Sequence, residues 1–244
     1  MLSQNGRRFL FSIYALIQVI AISRFTAAQI STKPIARLTA TTDNVSSHGQ
    51  AVRIELFAWS TDADRDQFVK AWVSPPKPAP IVAADAAPAG GRGGRGGRGG
   101  RGGGGGGDQA APPPPPTAIT PAASLGTSLK KAPSVGMLWT SETVGYSIRY
   151  AYRLTQPDGV ERIILATDRR LGAWNNSWKP IGGSDVIDYP FSIIEIRLNG
   201  TGLGEGKASL TTPISVDSSA NAIALDNYAS SPVLLKAVKK QSVK

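Results

Sequence analysis

Cysteine is missing from all 244 residues, and histidine occurs once, as His48. Without cysteine there is no disulfide, no thiolate nucleophile and no thiolate metal ligand. Attachment of a lipid to an N-terminal cysteine is excluded as well. Without disulfides the chain must take its stability from its core. One imidazole leaves a Ser-His-Asp triad only through His48 with Ser46 or Ser47, close neighbours in a polar SSHGQ stretch that suits a turn. A zinc site built on one histidine lacks ligands.

Net charge is scarcer than the formal +10 suggests. Setting aside Arg7, Arg8 and Arg24 at the N-terminus lowers it to +7, and setting aside the four arginines of a glycine-rich tract lowers it to +3. The basicity therefore belongs to the two ends of this subtraction and gives no basic face to the remainder. The longest apolar run, residues 9–22, has 14 residues, short of the ~20 that a membrane-spanning helix needs. With Arg7 and Arg8 before it and Thr26-Ala27-Ala28 after it, the run reads as a secretory signal cleaved near Ala28. The expected location is the periplasm or the cell exterior, with a retained anchor as the alternative.

Residues 145–174 carry the clearest structural signal. Tyr146, Ile148, Tyr150, Tyr152 and Leu154 alternate with Ser147, Arg149, Ala151, Arg153 and Thr155. That period of two predicts a strand with tyrosines on one face and arginines on the other. Gln156-Pro157-Asp158-Gly159 supplies the turn, and a bulge at Gly159 sets Leu154 opposite Arg162 and Tyr152 opposite Ile164.

The rest of the chain follows the same logic. Residues 51–60 (AVRIELFAWS) predict a strand. The next residues, 60–64, offer an N-cap followed by acids for a helix to Val73 with Phe68, Val69 and Trp72 on its buried stripe. Residues 74–123 then turn to Pro, Ala, Gly and Arg with almost no large apolar side chain. Such a segment cannot offset its ordering entropy and is expected to be a disordered insertion. Residues 124–132 predict a second short helix, 135–140 a strand, 174–189 a long loop and 191–199 a strand with Ile194, Ile196 and Leu198 inward and Glu195 and Arg197 outward. Gly202, Gly204 and Gly206 are expected in the next connection, before strands at 207–216, 222–226 and 233–238.

The expected fold is mainly β, a β-sandwich or open barrel of seven to eight strands with one or two short helices. The domain plan is a signal peptide (1–28), an N-terminal arm (29–50), one β domain (51–73 and 124–240), the insertion (74–123) and a C-terminal tail (241–244). Outside the ends and the insertion, about 165 residues remain, enough for one sizeable core.

Candidate chemistry is sparse. Arg92, Arg95, Arg98 and Arg101 stand three residues apart in glycine and could contact a polyanion, either an anionic polymer or a membrane surface. With no Phe or Tyr interleaved, no specific nucleic-acid recognition is expected. Asp62, Asp64 and Asp66 imitate the start of a calcium loop, but Gln67 and Val73 stand where Gly and Glu are required. Gly206-Lys207 imitates a phosphate loop, with Thr201 and Ala208 at positions that need Gly and Ser or Thr. Asp168, Asp185, Asp188, Glu195 and Glu205 are the carboxylates that a polymer hydrolase would have to pair. Trp174 and Trp178, with the tyrosine face of the hairpin, could stack on a sugar or peptide, and Trp174, Trp178 and the arginine-bearing face of Arg149 and Arg153 form the candidate ligand surface. No cofactor or metal is expected.

Several stretches, LFAWSTDADRD, LKKAPSVGMLWTSETVGYSIRYAYR, ERIILATDRRLGAW, FSIIEIRLNGTGLGEGKASL and LDNYASSPVLLKAVK, together resemble a family of exported bacterial proteins of unknown function. In that family the segment before LKKAP is commonly short, which supports an insertion into a single domain. The resemblance supplies no catalytic residue. The leading expectation is a non-enzymatic binding or structural module. A hydrolase of envelope polymers and a polyanion tether are the alternatives.

Overall fold

The computed structural model describes residues 33–77, 118–140, 145–182 and 185–243. The expected signal peptide (1–28), residues 78–117 of the expected insertion and with them Arg92, Arg95, Arg98 and Arg101 lie outside the described residues. The chain is mainly β, as expected, and the sheet closes on itself. Eight strands contribute to it: β1 (Ala36–Thr42), β2 (Ala51–Leu56), β3 (Gly136–Trp139), β4 (Tyr146–Thr155), β5 (Glu161–Thr167), β6 (Ile193–Leu198), β7 (Leu203–Ala208) and β10 (Leu235–Gln241). Around the barrel the order is β1-β10-β7-β6-β5-β4-β3-β2, and every neighbour is antiparallel. A separate hairpin, β8 (Ile214–Asp217) and β9 (Ala222–Leu225), is inserted before β10. Helices α1 (Asp62–Val73) and α2 (Pro121–Lys131) lie between β2 and β3.

An eight-stranded barrel is just wide enough for side chains to fill, and this one is filled. Leu38, Ile54, Leu56, Leu138, Ile148, Ile163, Leu165, Ile196, Leu198 and Val238 project inward with no exposed surface. A membrane barrel has the reverse arrangement, a polar interior and an apolar outer band. Among the described residues no helix is long and apolar enough to cross a membrane.

A second layer covers the outside of β4, β5 and β6. Phe68 and Val69 of α1, Leu125 and Leu129 of α2, and Ile223 and Leu225 of β9 pack on Tyr150, Tyr152, Ile164 and Ile193. This explains why β5 reads ERIILAT with no alternation: Ile163 and Leu165 face the barrel interior, Ile164 and Ala166 the outer layer. A strand buried on both faces becomes a continuous apolar run.

Several expectations are corrected. The hairpin register holds, with Leu154 opposite Arg162, Tyr152 opposite Ile164 and Gly159 at φ +81°. The tyrosines, however, do not share a face. The register shifts between Ile148 and Tyr150, so Tyr146 and Ile148 enter the barrel while Tyr150 and Tyr152 enter the outer layer. One extra residue exchanges the two faces of a strand. Residues 36–42, expected within an N-terminal arm, form β1. Its small, mixed side chains (ARLTATT) mute the alternation that would have marked it. Of the glycines expected in a connection, Gly202 lies in the β6–β7 turn at φ +76°, but Gly204 and Gly206 belong to β7, where a Cβ on Gly204 would come within 1.8 Å of the Arg197 carbonyl oxygen. Those glycines let two backbones approach. The single strand expected over 207–216 is instead the end of β7, a turn, and β8.

Candidate functional site

The β5–β6 connection crosses one end of the barrel, and its anchors are apolar. Leu171 and Trp178 are 1% and 2% exposed and join the barrel core, plugging this pole. Between them the loop turns outward at Gly172, whose φ is +73° and whose Cβ position would lie 3.0 Å from Trp178. That left-handed conformation suits glycine. The loop is zipped to the β1–β2 turn through Ser47 N–H to the Ser177 carbonyl and Ser46 N–H to the Lys179 carbonyl, each 2.9 Å. Ile181 N–H donates to the Asn44 carbonyl at 3.0 Å.

At the apex stands Trp174, 72% exposed. It is held by a stack. The Arg169 guanidinium lies 4.1 Å from the Trp174 ring centre on one side and 4.3 Å from that of Tyr146 on the other. Arg169 is itself fixed by Asp168 at 3.1 Å and by donation to the Gly145 carbonyl at 2.8 Å. Asp168 accepts from the Ser147 backbone N–H at 3.2 Å, and Gly172 N–H donates to the Tyr146 hydroxyl at 3.0 Å. A cation between two rings with its edges hydrogen-bonded is rigid, and an indole laid on it inherits that rigidity. Arg169 and Tyr146 carry this arrangement; Tyr146 belongs to the tyrosine face expected to stack, whereas Arg169 is not among the candidates. Their contact crosses from one strand to a loop, which no spacing rule reveals.

Beside Trp174 is a cavity of about 450 Å³ lined by Arg170, Asn175, Asn176, Lys179 and Asp188. Asn175 closes a local turn by accepting from Ser177 N–H at 2.9 Å. Arg170 and Asp188 approach to 3.4 Å, with Asp188 92% exposed.

The four sequence candidates do not converge. Trp174 is the only one of them on the open face of this pole. Trp178 is a core residue. Arg149 donates to the Ala132 carbonyl at 2.9 Å, where its charge caps the C-terminus of α2. Arg153 stands at the far end of β4, roughly 20 Å away at the usual strand rise. There it stacks on Trp59 at 5.2 Å and lies 3.8 Å from Glu161.

Of the carboxylate candidates, Glu195 and Asp168 are engaged in the fold, Asp188 and Glu205 are in water beside a cation, and Asp185 is exposed. Glu195, on the outer face of the barrel as expected, has no exposed surface because β8 and β9 cover it. Arg162 and Arg197 both contact its carboxylate. Asp168 binds Arg169, Asp188 faces Arg170 and Glu205 lies 3.5 Å from Lys207. The acids of DADRD serve α1: Asp64 and Thr61 form a capping box, Asp62 accepts from the Tyr152 hydroxyl at 2.7 Å, and Asp66 accepts from Arg65 and Asn221. Among the described residues no three His, Asp or Glu side chains gather as a metal site. His48 does meet an acid, Asp43, at 2.9 Å. Ser46 donates to the Lys179 carbonyl, however, and the Ser47 hydroxyl is buried, so neither presents a nucleophile. No family model matches the chain, and neither curated proteins nor solved structures give a match.

Proposed function

We propose that this chain is a non-enzymatic binding module exported to the periplasm or cell exterior, with the Tyr146–Arg169–Trp174 stack as its ligand platform. One observation carries the proposal: a large aromatic ring is fixed from below by a hydrogen-bonded cation while 72% of it stays in water. Leaving an indole exposed forgoes the gain of burying it, and fixing it there suits a partner that covers it. A filled barrel and a loop closed by backbone hydrogen bonds supply a rigid mount, which lowers the ordering cost of association. The engagement of Glu195 and Asp168 in the fold takes two of the five candidate acids away from hydrolysis and supports the binding reading. The signal-like residues 7–28 support export.

The test is co-sedimentation of the purified chain with insoluble envelope and extracellular polymers, scored for both bound protein and released soluble fragments. The expected outcome is saturable binding that Trp174→Ala loses, with no fragments released. Fragment release by the wild-type chain would replace this reading with a hydrolase.

A further inference from the structure

Resting on that reading, we infer that the partner of the Trp174 platform is a glycan: a pyranose ring lies on the open face of the indole and its hydroxyls reach the adjoining cavity. A pyranose presents an apolar face of C–H bonds and a rim of hydroxyls, each both donor and acceptor. A matching site needs a flat apolar surface beside a mixture of donors and acceptors. Trp174 supplies the surface. Asn175 and Asn176 carry both donor and acceptor, Asp188 accepts, and Arg170 and Lys179 donate, all around one cavity of about 450 Å³. That volume falls within the range of small-ligand sites. Trp174 itself does not line the cavity, but Gly172 and Asn175, two residues before it and one after it in the chain, both do, which sets the polar rim one residue from the platform.

The charges around the platform argue against nucleic acid. Single-strand sites combine stacked aromatics with cations free to follow the phosphates. Here Arg169 is enclosed between two rings and bound to Asp168, and the cavity that holds Arg170 and Lys179 also holds the exposed carboxylate of Asp188, which repels a phosphate and accepts from a hydroxyl. An extended peptide would seek a free sheet edge. The barrel is closed, and the loop backbone at this pole is paired with the β1–β2 turn. The Arg170–Asp188 contact is long and its acid is in water, so it is a weak pair. Sugar hydroxyls can replace it at little cost.

The experiment is a calorimetric titration of the purified chain, with tryptophan fluorescence recorded in parallel. The probes are cellohexaose, chitohexaose and a hexagalacturonate, with a proline-rich peptide and an oligo(dT) as the two competing classes. Neutral and uronate probes separate a purely stacking sugar from one whose carboxylate pairs with Arg170 or Lys179. The expected result is saturable binding of at least one saccharide, weakened about tenfold or more by Trp174→Ala. Asn175→Ala and Asp188→Ala should give smaller losses, all with unchanged thermal unfolding. Trp174-dependent binding of the peptide or oligo(dT), with none of the saccharides bound, would overturn the glycan and leave the platform standing. Absence of Trp174-dependent binding to all the probes and to the sedimented polymers would overturn both.

Discussion

Arg162 of β5 lies against Glu195 of β6 with Nε 2.9 Å from Oε1 and Nη2 donating to Oε2 at 3.1 Å, and neither side chain is more than 4% exposed. Arg197 adds two bonds to the same carboxylate at 3.0 and 2.8 Å, Leu225 N–H a further one at 3.2 Å, and Asp217 takes the remaining side of Arg162 at 2.6 Å. The network ties the β8–β9 hairpin to the barrel. At its centre Arg162 and Glu195 are both sealed from water, so removing Glu195 leaves the Arg162 charge dry and without its main counter-ion. Glu195→Ala should cost about 3–5 kcal/mol in denaturant unfolding. Combining it with Arg162→Met should cost less than the sum of the two single changes, because the orphaned cation is then gone. Additive losses would mean that the pair is not coupled.

Asp217 gives the acid side of stability a defined origin. Hydrogen bonds from Ser219 foremost, together with Arg162 and the Ala220 N–H, pull its carboxyl down to about 2 against an opposing effect of burial. A carboxyl depressed in the folded state stabilises above its unfolded value, and that stability disappears as pH falls through the folded value. The window is therefore about pH 4 down to about pH 2, and the contribution is roughly 2 kcal/mol. Asp217→Asn should lower stability at neutral pH and flatten the stability profile across that window, measured by denaturant unfolding at each pH.

Three tyrosines define the alkaline side. Burial raises Tyr150 and Tyr228 far above the ordinary phenol value, and the hydrogen bond to Asp62 raises Tyr152. A raised folded value stabilises below the unfolded value of about 10 and loses that contribution as pH climbs through the folded one. Phenolate absorbance should thus show Tyr150 and Tyr228 ionising only with the loss of tertiary structure, and Tyr152 ionising above the ordinary phenol range. Smooth titration of every tyrosine near pH 10 in the folded protein would contradict the burial of this layer.

The two loop tryptophans should behave oppositely. Trp178→Ala empties a core position and should cost about 3–5 kcal/mol. Trp174→Ala removes an exposed ring and should change stability by no more than about 1 kcal/mol. Thermal unfolding of both variants checks the pair.

Two glycines close in sequence separate in the same way. Nothing lies within 4 Å of a Cβ built on Gly200, whereas one on Gly204 meets the Arg197 carbonyl oxygen at 1.8 Å. Gly200→Ala should be tolerated. Gly204→Ala should force β6 and β7 apart at a cost of about 3 kcal/mol, read as a lowered unfolding midpoint.

Local chemistry made much of the fold legible. Pro157, Asp158 and Gly159 set the hairpin register, and the acids after Thr61 marked the start of α1, because turns and caps are decided by neighbouring residues. β1 was hidden by small side chains, and β7 by glycines that usually signal a connection. Of the site, Trp174, Tyr146 and Asp188 were visible as residue types but not as neighbours: an aromatic in a polar loop is conspicuous, but whether it is core or surface is not a local property. Trp174 and Trp178 are four residues apart in one loop, and the barrel mouth took one and left the other in water.

The sequence by itself determined a mainly-β chain without disulfides, the hairpin register and the extent of α1. Each follows from alternation, turn residues or caps within a few positions. Tertiary structure decided that the sheet closes, that a one-residue bulge near Arg149 sends the tyrosines to two different layers, and that Glu195 is sealed beneath β8 and β9. It also decided that Arg169 slides between Tyr146 and Trp174. Those outcomes depend on which surfaces meet once the chain has folded back on itself, and contacts between segments distant along the chain leave no period in the sequence.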